Sequence, residues 1–211
     1  MAFQVAEFLA LRPFVYHVTD RANLPGLRSS LRMRCTADLL IAAGQADLLR
    51  ERRKDCLALS VDGTTVVLKD QAPLIEANTR LTGGWDFGDF VESQNRHVFF
   101  WPGTSDGPIG SGRRLLHHYE PQGPAVFRVA TNDLLATNAH LIPLFCTVNS
   151  GAPRYHSGRP APRGPGLFVT AETFARRASQ VVEVVFAGEV GLPPSVQVRS
   201  ADGWRRLVER R

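Results

Sequence analysis

Short runs of β-branched and aromatic residues recur along this chain and constrain its fold more than any other feature of the sequence. Such runs are typical of β-strands. We predict strands over residues 14–19, 64–69, 96–101, 125–129, 140–145 and 179–186. Because helical patterns come first and strands dominate afterwards, the sequence predicts an α+β domain with a mostly antiparallel β-sheet.

Helical periodicity is concentrated near the N-terminus. Asp20 can cap a helix that continues to about residue 31, because its side chain can accept hydrogen bonds from free backbone amides. A second helix is predicted over residues 36–53, and we interpret its charged end, residues 50–54, as a solvated face. A third helix is predicted over residues 87–95, between two strands.

The composition indicates one globular domain spanning residues 1–211, because 211 residues with 44% hydrophobic content can form one sizeable core. No apolar run reaches membrane-spanning length, and the first residues do not resemble a secretion signal. Cys35, Cys56 and Cys146 show neither disulfide nor metal-ligand spacing. We therefore expect a cytoplasmic protein with reduced thiols, no metal and no membrane partner.

Residues 149–166 form a long segment rich in glycine, proline and arginine. Its four prolines repeatedly remove backbone hydrogen-bond donors, so regular structure should not persist there. A loop of this length within a compact domain is usually functional or disordered. The formal net charge of +5 permits an anionic partner without requiring one.

Two polar side chains interrupt apolar strands. Glu183 shares a strand face with Val181 and Val185, so it is either a residue on a wet face or a partly buried functional carboxylate. His17 lies within the first strand and is either a core histidine bonded to backbone or a ligand-binding group. The common nucleotide and metal motifs are absent from the sequence.

Three motifs, taken in order, indicate a family. The first comprises residues 16–19, which read Tyr-His-Val-Thr, and residues 23–27, which read Asn-Leu-Pro-Gly-Leu. The second is an aromatic strand at 96–103, and the third is the glutamate strand at 177–185. Together they resemble the DarT-like ADP-ribosyltransferases, which modify DNA. The chain is also similar to a branch of bacterial proteins that share its segments at 70–74, 95–101 and 163–165.

The resemblance implies a split, strongly bent sheet with NAD as co-substrate in the cleft. His17 would bond the adenosine-side ribose of NAD, and Thr19 and Tyr16 would lie at the same end. Glu183 would hold the nicotinamide ribose, stabilise the positive charge that develops as the nicotinamide bond breaks, and accept a proton from the nucleophile. Trp101 and Tyr119 would stack on nicotinamide or on a target base, although core packing explains both aromatics equally well.

The resemblance also implies an arginine that binds the cofactor and assists catalysis. Lys69 occupies the best-matching position, but a lysine lacks the bidentate fork of arginine. Arg80 and Arg96 are alternative cations for the NAD pyrophosphate, and a purely structural lysine is an equal alternative.

On the target side, the resemblance gives the loop at 149–166 the role of substrate selection. It contains five residues that could bind phosphates or stack on bases: Arg154, Tyr155, His156, Arg159 and Arg163. We therefore expect ADP-ribose transfer from NAD to a nucleobase of single-stranded DNA, as a toxin or phage-defence factor restrained by an antitoxin or an ADP-ribosyl hydrolase. The alternatives are transfer to RNA or protein, NAD glycohydrolysis, and a non-catalytic binding module; a solvated basic loop would explain the same arginines.

Overall fold

The structure is a computed structural model that describes residues 3–153, 155–156, 159–160 and 162–209. Its six α-helices within this part of the chain are α1 (Val5–Leu11), α2 (Leu24–Ser30), α3 (Thr36–Ala42), α4 (Phe87–Asn95), α5 (Gly110–Tyr119) and α6 (Thr131–Thr137). Short 3-10 helices lie at Arg21–Asn23, Ala46–Arg50, Glu76–Asn78, Glu120–Gln122 and Ala178–Gln180. No described helix is long and apolar enough to cross a membrane.

Sixteen short strands accompany these helices in the described ranges. In chain order they are β1 (Phe14–Thr19), β2 (Arg32–Met33), β3 (Leu57–Val61), β4 (Thr64–Leu68), β5 (Arg80–Leu81), β6 (His97–Thr104), β7 (Gly107–Pro108), β8 (Ala125–Ala130), β9 (Leu144–Cys146), β10 (Tyr155–His156), β11 (Arg159–Pro160), β12 (Pro162–Arg163), β13 (Glu183–Ala187), β14 (Val190–Gly191), β15 (Gln197–Ser200) and β16 (Gly203–Arg206).

One eight-stranded sheet organises the fold. Its order is β16-β15-β8-β1-β6-β13-β9, with β7 paired to β6, and every pairing in it is antiparallel. The parallel pair β12–β5 stands apart from this sheet. The predicted α+β class with a mostly antiparallel sheet is therefore confirmed.

The central strand β6 changes partner midway along its length. Residues 101–103 of β6 pair with β1, whereas residues 97–100 pair with β13. Only Phe14 to Tyr16 of β1 pair with β6, so the end of β1 that bears His17 lies beyond the paired region. Glu183 begins β13 on the other side of β6. This change of partner brings the two distant strands to one place.

Four clusters of buried apolar side chains stabilise the described part of the chain, and two of them have more members than the others. The larger of these two packs residues of β1, β6, β8 and β13 with Phe145 and Phe174. The smaller one joins Leu39 and Leu40 of α3 to the hairpin β3–β4. Burial of these apolar side chains is the main stabilising contribution to both units. The hairpin β3–β4 forms a wall beside the main sheet.

Several predicted boundaries are wrong for identifiable local reasons. The helix expected over 36–53 ends at Ala42, because Gly44 adopts a left-handed conformation and a 3-10 helix follows. The strand expected over 179–186 begins only at Glu183, because Ala178–Gln180 forms a 3-10 turn. The strand expected over 140–145 is confined to β9. The Asp20 cap is confirmed, since its Oδ1 accepts from the Ala22 amide at 2.9 Å.

Candidate functional site

A cavity of about 480 Å³ opens where β6 changes partner, and its size is typical of small-molecule sites. Its walls come from β1, the hairpin β3–β4, α4, β6 and the start of the loop at 149–166. Six residues singled out by the sequence line this one cavity: His17, Thr19, Lys69, Trp101, Tyr119 and Glu183.

Glu183 is the more deeply buried of two buried carboxylates in this cavity, with 1% of its surface exposed against 9% for Asp70. The solvated-face interpretation of Glu183 is therefore wrong. Both carboxylate oxygens accept from the Ser150 amide, at 3.2 and 3.1 Å. Burial raises the pKa of Glu183 to about 7, and this effect outweighs the opposing bonds from Ser150 and the positive charge of Arg163. A carboxyl group in this state can change its ionisation near neutral pH.

Three buried polar atoms in the cavity lining lack a hydrogen-bond partner. They are Gln94 Nε2, Asn149 Oδ1 and the indole Nε1 of Trp101, which lies beside the Glu183 carboxyl without a bond of normal geometry. Only two other such side-chain atoms occur in the described part of the chain, on Arg12 and Gln45, and neither residue lines the cavity. Because buried polar atoms are usually hydrogen-bonded, these three atoms can bind a polar ligand or water in the cavity.

His17 presents a defined hydrogen-bonding state to the cavity. Its Nδ1 lies 2.9 Å from the carbonyl oxygen of Phe99; a carbonyl only accepts, so Nδ1 carries the proton and Nε2 is an acceptor. Burial lowers the pKa of His17 and favours this neutral form. A ligand hydroxyl could therefore donate to Nε2.

Thr19 is tied to the opposite wall by Asn23. The Asn23 amide donates to Thr19 Oγ1 at 2.9 Å and makes paired bonds with the amide and carbonyl of Val67, each 2.8 Å long. These bonds fasten the end of β1 to β4, on the other side of the cavity. In the sequence, Asn23 belongs to the family motif, but no pattern there indicates this link to β4.

Lys69 lies at the cavity with its side chain 12% exposed. Its ammonium donates to Gln122, lies 4.0 Å from Asp20 Oδ2, and sits 5.0 Å from the centre of the Tyr119 ring. The Tyr119 hydroxyl in turn donates to the Asp70 carbonyl at 2.9 Å. Lys69 and Tyr119 are thus held in a packed cluster at the cavity wall.

Arg53 is a cation of the cavity that the sequence analysis missed. Its side chain donates to the Lys69 carbonyl at 3.2 Å and to Asn95 Oδ1 at 2.8 Å. The interpretation of residues 50–54 as a solvated face is wrong here, since Arg53 is half-buried. Burial lowers its pKa to about 10, so it remains charged at neutral pH. Nothing in the charged run itself distinguishes Arg53 from its neighbours.

Tyr16 and Arg96, predicted to bind the cofactor, lie outside this cavity lining. Alternation along β1 turns Tyr16 away from His17; its hydroxyl donates to the Thr104 carbonyl, and its ring packs 5.8 Å from that of Trp204. Arg96 follows α4 and pairs with Glu92 at 2.6 Å. Trp101 and Tyr119 are buried in a core cluster, as the packing interpretation expects, and they also line the cavity.

The predicted nucleic-acid-binding residues of the loop at 149–166 differ in their exposure to solvent. Arg154 lies outside the described residues, and only the backbone of Tyr155 and His156 is described, as β10 paired with β11. Arg159 in β11 is exposed, as a nucleic-acid contact requires. Arg163 is 2% exposed, so its predicted role as a surface contact to nucleic acid is wrong. Within the described ranges, no group of His, Cys, Asp or Glu could hold a metal ion.

Comparison with known proteins adds a family assignment to this geometry. No curated protein and no solved structure matches the chain. A family model described as a family of unknown function, DUF7002, matches residues 13–193. The match begins just before β1 and ends after β14, so it includes every element that lines the cavity. The chain therefore belongs to the DUF7002 family.

Proposed function

We propose that this protein is an NAD-dependent ADP-ribosyltransferase built on an ADP-ribosyltransferase-like split sheet. The observation that supports this most is the combination of the fully buried Glu183 carboxylate and three unpaired polar atoms in the same cavity. The unpaired atoms suit a ligand that has both hydrogen-bond donors and acceptors. The carboxylate suits a ligand with a carbon atom that becomes positively charged during the reaction.

The lining residues fit the chemical groups of NAD. The nicotinamide carboxamide offers an acceptor to Gln94 Nε2 or Trp101 Nε1, and a donor to Asn149 Oδ1. The acceptor Nε2 of His17 suits a ribose hydroxyl. Arg53 and Lys69 supply positive charge for the pyrophosphate, and Arg53 supplies the guanidinium fork that Lys69 lacks.

NAD would supply an ADP-ribosyl group and a nicotinamide leaving group. In its ionised form, Glu183 stabilises the positive charge that grows on the ribose, and a low-dielectric site strengthens this interaction. The same carboxylate can accept the proton of the attacking nucleophile. Its pKa of about 7 matches a group that must gain and lose a proton at physiological pH.

The proposed acceptor is a nucleobase of single-stranded DNA, and the proposed role is that of a toxin or phage-defence factor with a restraining partner. Exposed Arg159 lies in the segment that follows the cavity residues Asn149 and Ser150. An arginine there could bind a phosphate and orient an unpaired base. RNA, protein and water are the competing acceptors.

Nicotinamide release from NAD, followed with single-stranded DNA, RNA or protein present, tests this function. We expect release together with a mass increase of one ADP-ribose on DNA. Glu183→Gln should lower the rate by about 100-fold or more, whereas the exposed Glu172→Gln should not change it.

Other outcomes would replace the proposal. Release without a labelled acceptor would indicate an NAD glycohydrolase. Binding of NAD or nucleic acid without release under any condition would indicate a binding module. Activity that survives Glu183→Gln would contradict the site assignment.

A further inference from the structure

Of the two arginines described in the loop at 149–166, Arg159 is exposed and Arg163 is buried. The Arg163 backbone is fixed on one side, because β12 pairs with β5 and the Thr82 amide donates to the Arg163 carbonyl at 2.9 Å. The next residue, Gly164, packs so closely that an added Cβ would lie 2.5 Å from Thr82 Oγ1. The Arg163 side chain therefore extends from a firmly held position.

The guanidinium of Arg163 reaches back to the start of the same loop. It donates to the Asn149 carbonyl at 2.9 Å and to the Ser150 carbonyl at 3.4 Å. The amide of Ser150 donates to both oxygens of Glu183. A continuous set of hydrogen bonds thus connects β12, the residues at 149–150 and the carboxylate.

Arg163 is also the positive charge that acts on Glu183. Other groups near the carboxylate are the Cys146 thiol, directly opposite on β9, and His17 in the same cavity. Burial raises the pKa of Cys146 to about 12 and lowers the pKa of His17, so both are neutral near pH 7. The Ser150 amide contributes an uncharged donor.

We propose that Arg163 is a positioning residue for Glu183. It connects the two ends of the loop at 149–163 by hydrogen bonds and thereby fixes the Ser150 amide against the carboxylate. Its positive charge favours the ionised form of Glu183. Side chains that contact a ligand generally need further hydrogen-bonded residues behind them to hold their orientation. The consequence for catalysis rests on the proposed function, but the effect on Glu183 itself does not.

Carbon-13 NMR titration of the Glu183 side-chain carboxyl tests this directly, with the signal assigned by its loss in Glu183→Gln. We expect a midpoint near 7 in the wild type and an increase of roughly one pH unit in Arg163→Met, since an opposite charge is removed. Arg163→Lys restores the charge and should show a smaller increase. The exposed Arg176→Met is the matched control and should leave the midpoint unchanged.

An unchanged midpoint in folded Arg163→Met would overturn the proposal. If that variant does not fold, Arg163→Lys decides, because lysine keeps the charge but cannot span both carbonyls. We then expect faster hydrogen exchange at the Ser150 amide and a changed Glu183 midpoint. Wild-type values for both would overturn the proposal.

Activity provides a separate readout. Arg163→Met should lower kcat for nicotinamide release by about 10- to 100-fold at pH 7 and change KM for NAD much less. A wild-type protein that releases no nicotinamide refutes the proposed function, whereas the NMR result still decides the role of Arg163.

Discussion

Burial raises the pKa of Glu183 to about 7, so the protonated and ionised forms of its carboxyl group are both populated near neutral pH. The sequence could identify Glu183 and His17 as candidates, since each interrupts an apolar strand. It could not show that Glu183 is buried, because alternation allows either face to be wet. It could not distinguish Arg53 from the neighbouring Arg50 and Arg52, since the position of the Arg53 side chain depends on its bond to the distant Asn95.

Nicotinamide release should increase with pH, with a midpoint near 7. Protonated Glu183 carries no charge and cannot stabilise a developing positive charge, so activity falls below its pKa. A pH profile of kcat/KM for NAD measures this midpoint. A profile that stays flat between pH 5.5 and pH 8.5 would contradict the role of Glu183.

The same pKa predicts an opposite trend in stability. Between the ordinary pKa of 4.5 and about 7, only the folded state keeps Glu183 protonated, so the free energy of unfolding falls as pH rises through this window. The loss is about 3 kcal/mol at most. Urea denaturation at pH 4.5 and pH 8.5 should show that Glu183→Gln gains stability relative to wild type at the higher pH. An equal difference at both pH values would refute the assigned pKa.

Arg53 should contribute to NAD affinity through its guanidinium. Arg53→Lys keeps the charge but loses the fork, so the Kd for NAD should rise by about tenfold. Arg52→Lys is the matched control, because Arg52 bonds the Gln71 and Ala72 carbonyls and does not line the cavity. Isothermal titration calorimetry measures both. Equal losses in the two variants would indicate a structural role for Arg53.

At the scale of elements, the site depends on two connections that join distant parts of the chain. One is the change of partner along β6, which the sequence could not predict because pairing of β1, β6 and β13 spans long separations. The other is the bond set of Asn23, which holds the hairpin β3–β4 to the end of β1. Strand β3 was missed altogether, whereas β1, α4 and β6 were predicted close to their observed bounds.

Asn23→Ala should loosen the hairpin wall of the cavity. It removes the three bonds that connect Thr19 and Val67 and leaves the Val67 amide without this partner. We expect a loss of about 1–3 kcal/mol in the free energy of unfolding and weaker NAD binding. Hydrogen exchange at the Val67 amide reports the change locally. Wild-type protection at Val67 would show that the hairpin is held by its apolar packing alone.

At the scale of the whole molecule, the α+β class and the antiparallel sheet followed from the order of the patterns, because local periodicity records which residues alternate between faces. The cavity could not be predicted in this way. It forms because residues 166 positions apart in the sequence, His17 and Glu183, line the same space in the folded chain. Its unpaired polar atoms are also a property of the folded chain alone.

A structure of the protein soaked with NAD would show whether this cavity is an ADP-ribosyltransferase site. We expect the nicotinamide ribose against Glu183, the carboxamide against Gln94 and Asn149, and the pyrophosphate beside Arg53. NAD bound elsewhere, or bound in this cavity with its nicotinamide ribose away from Glu183, would contradict the proposed function.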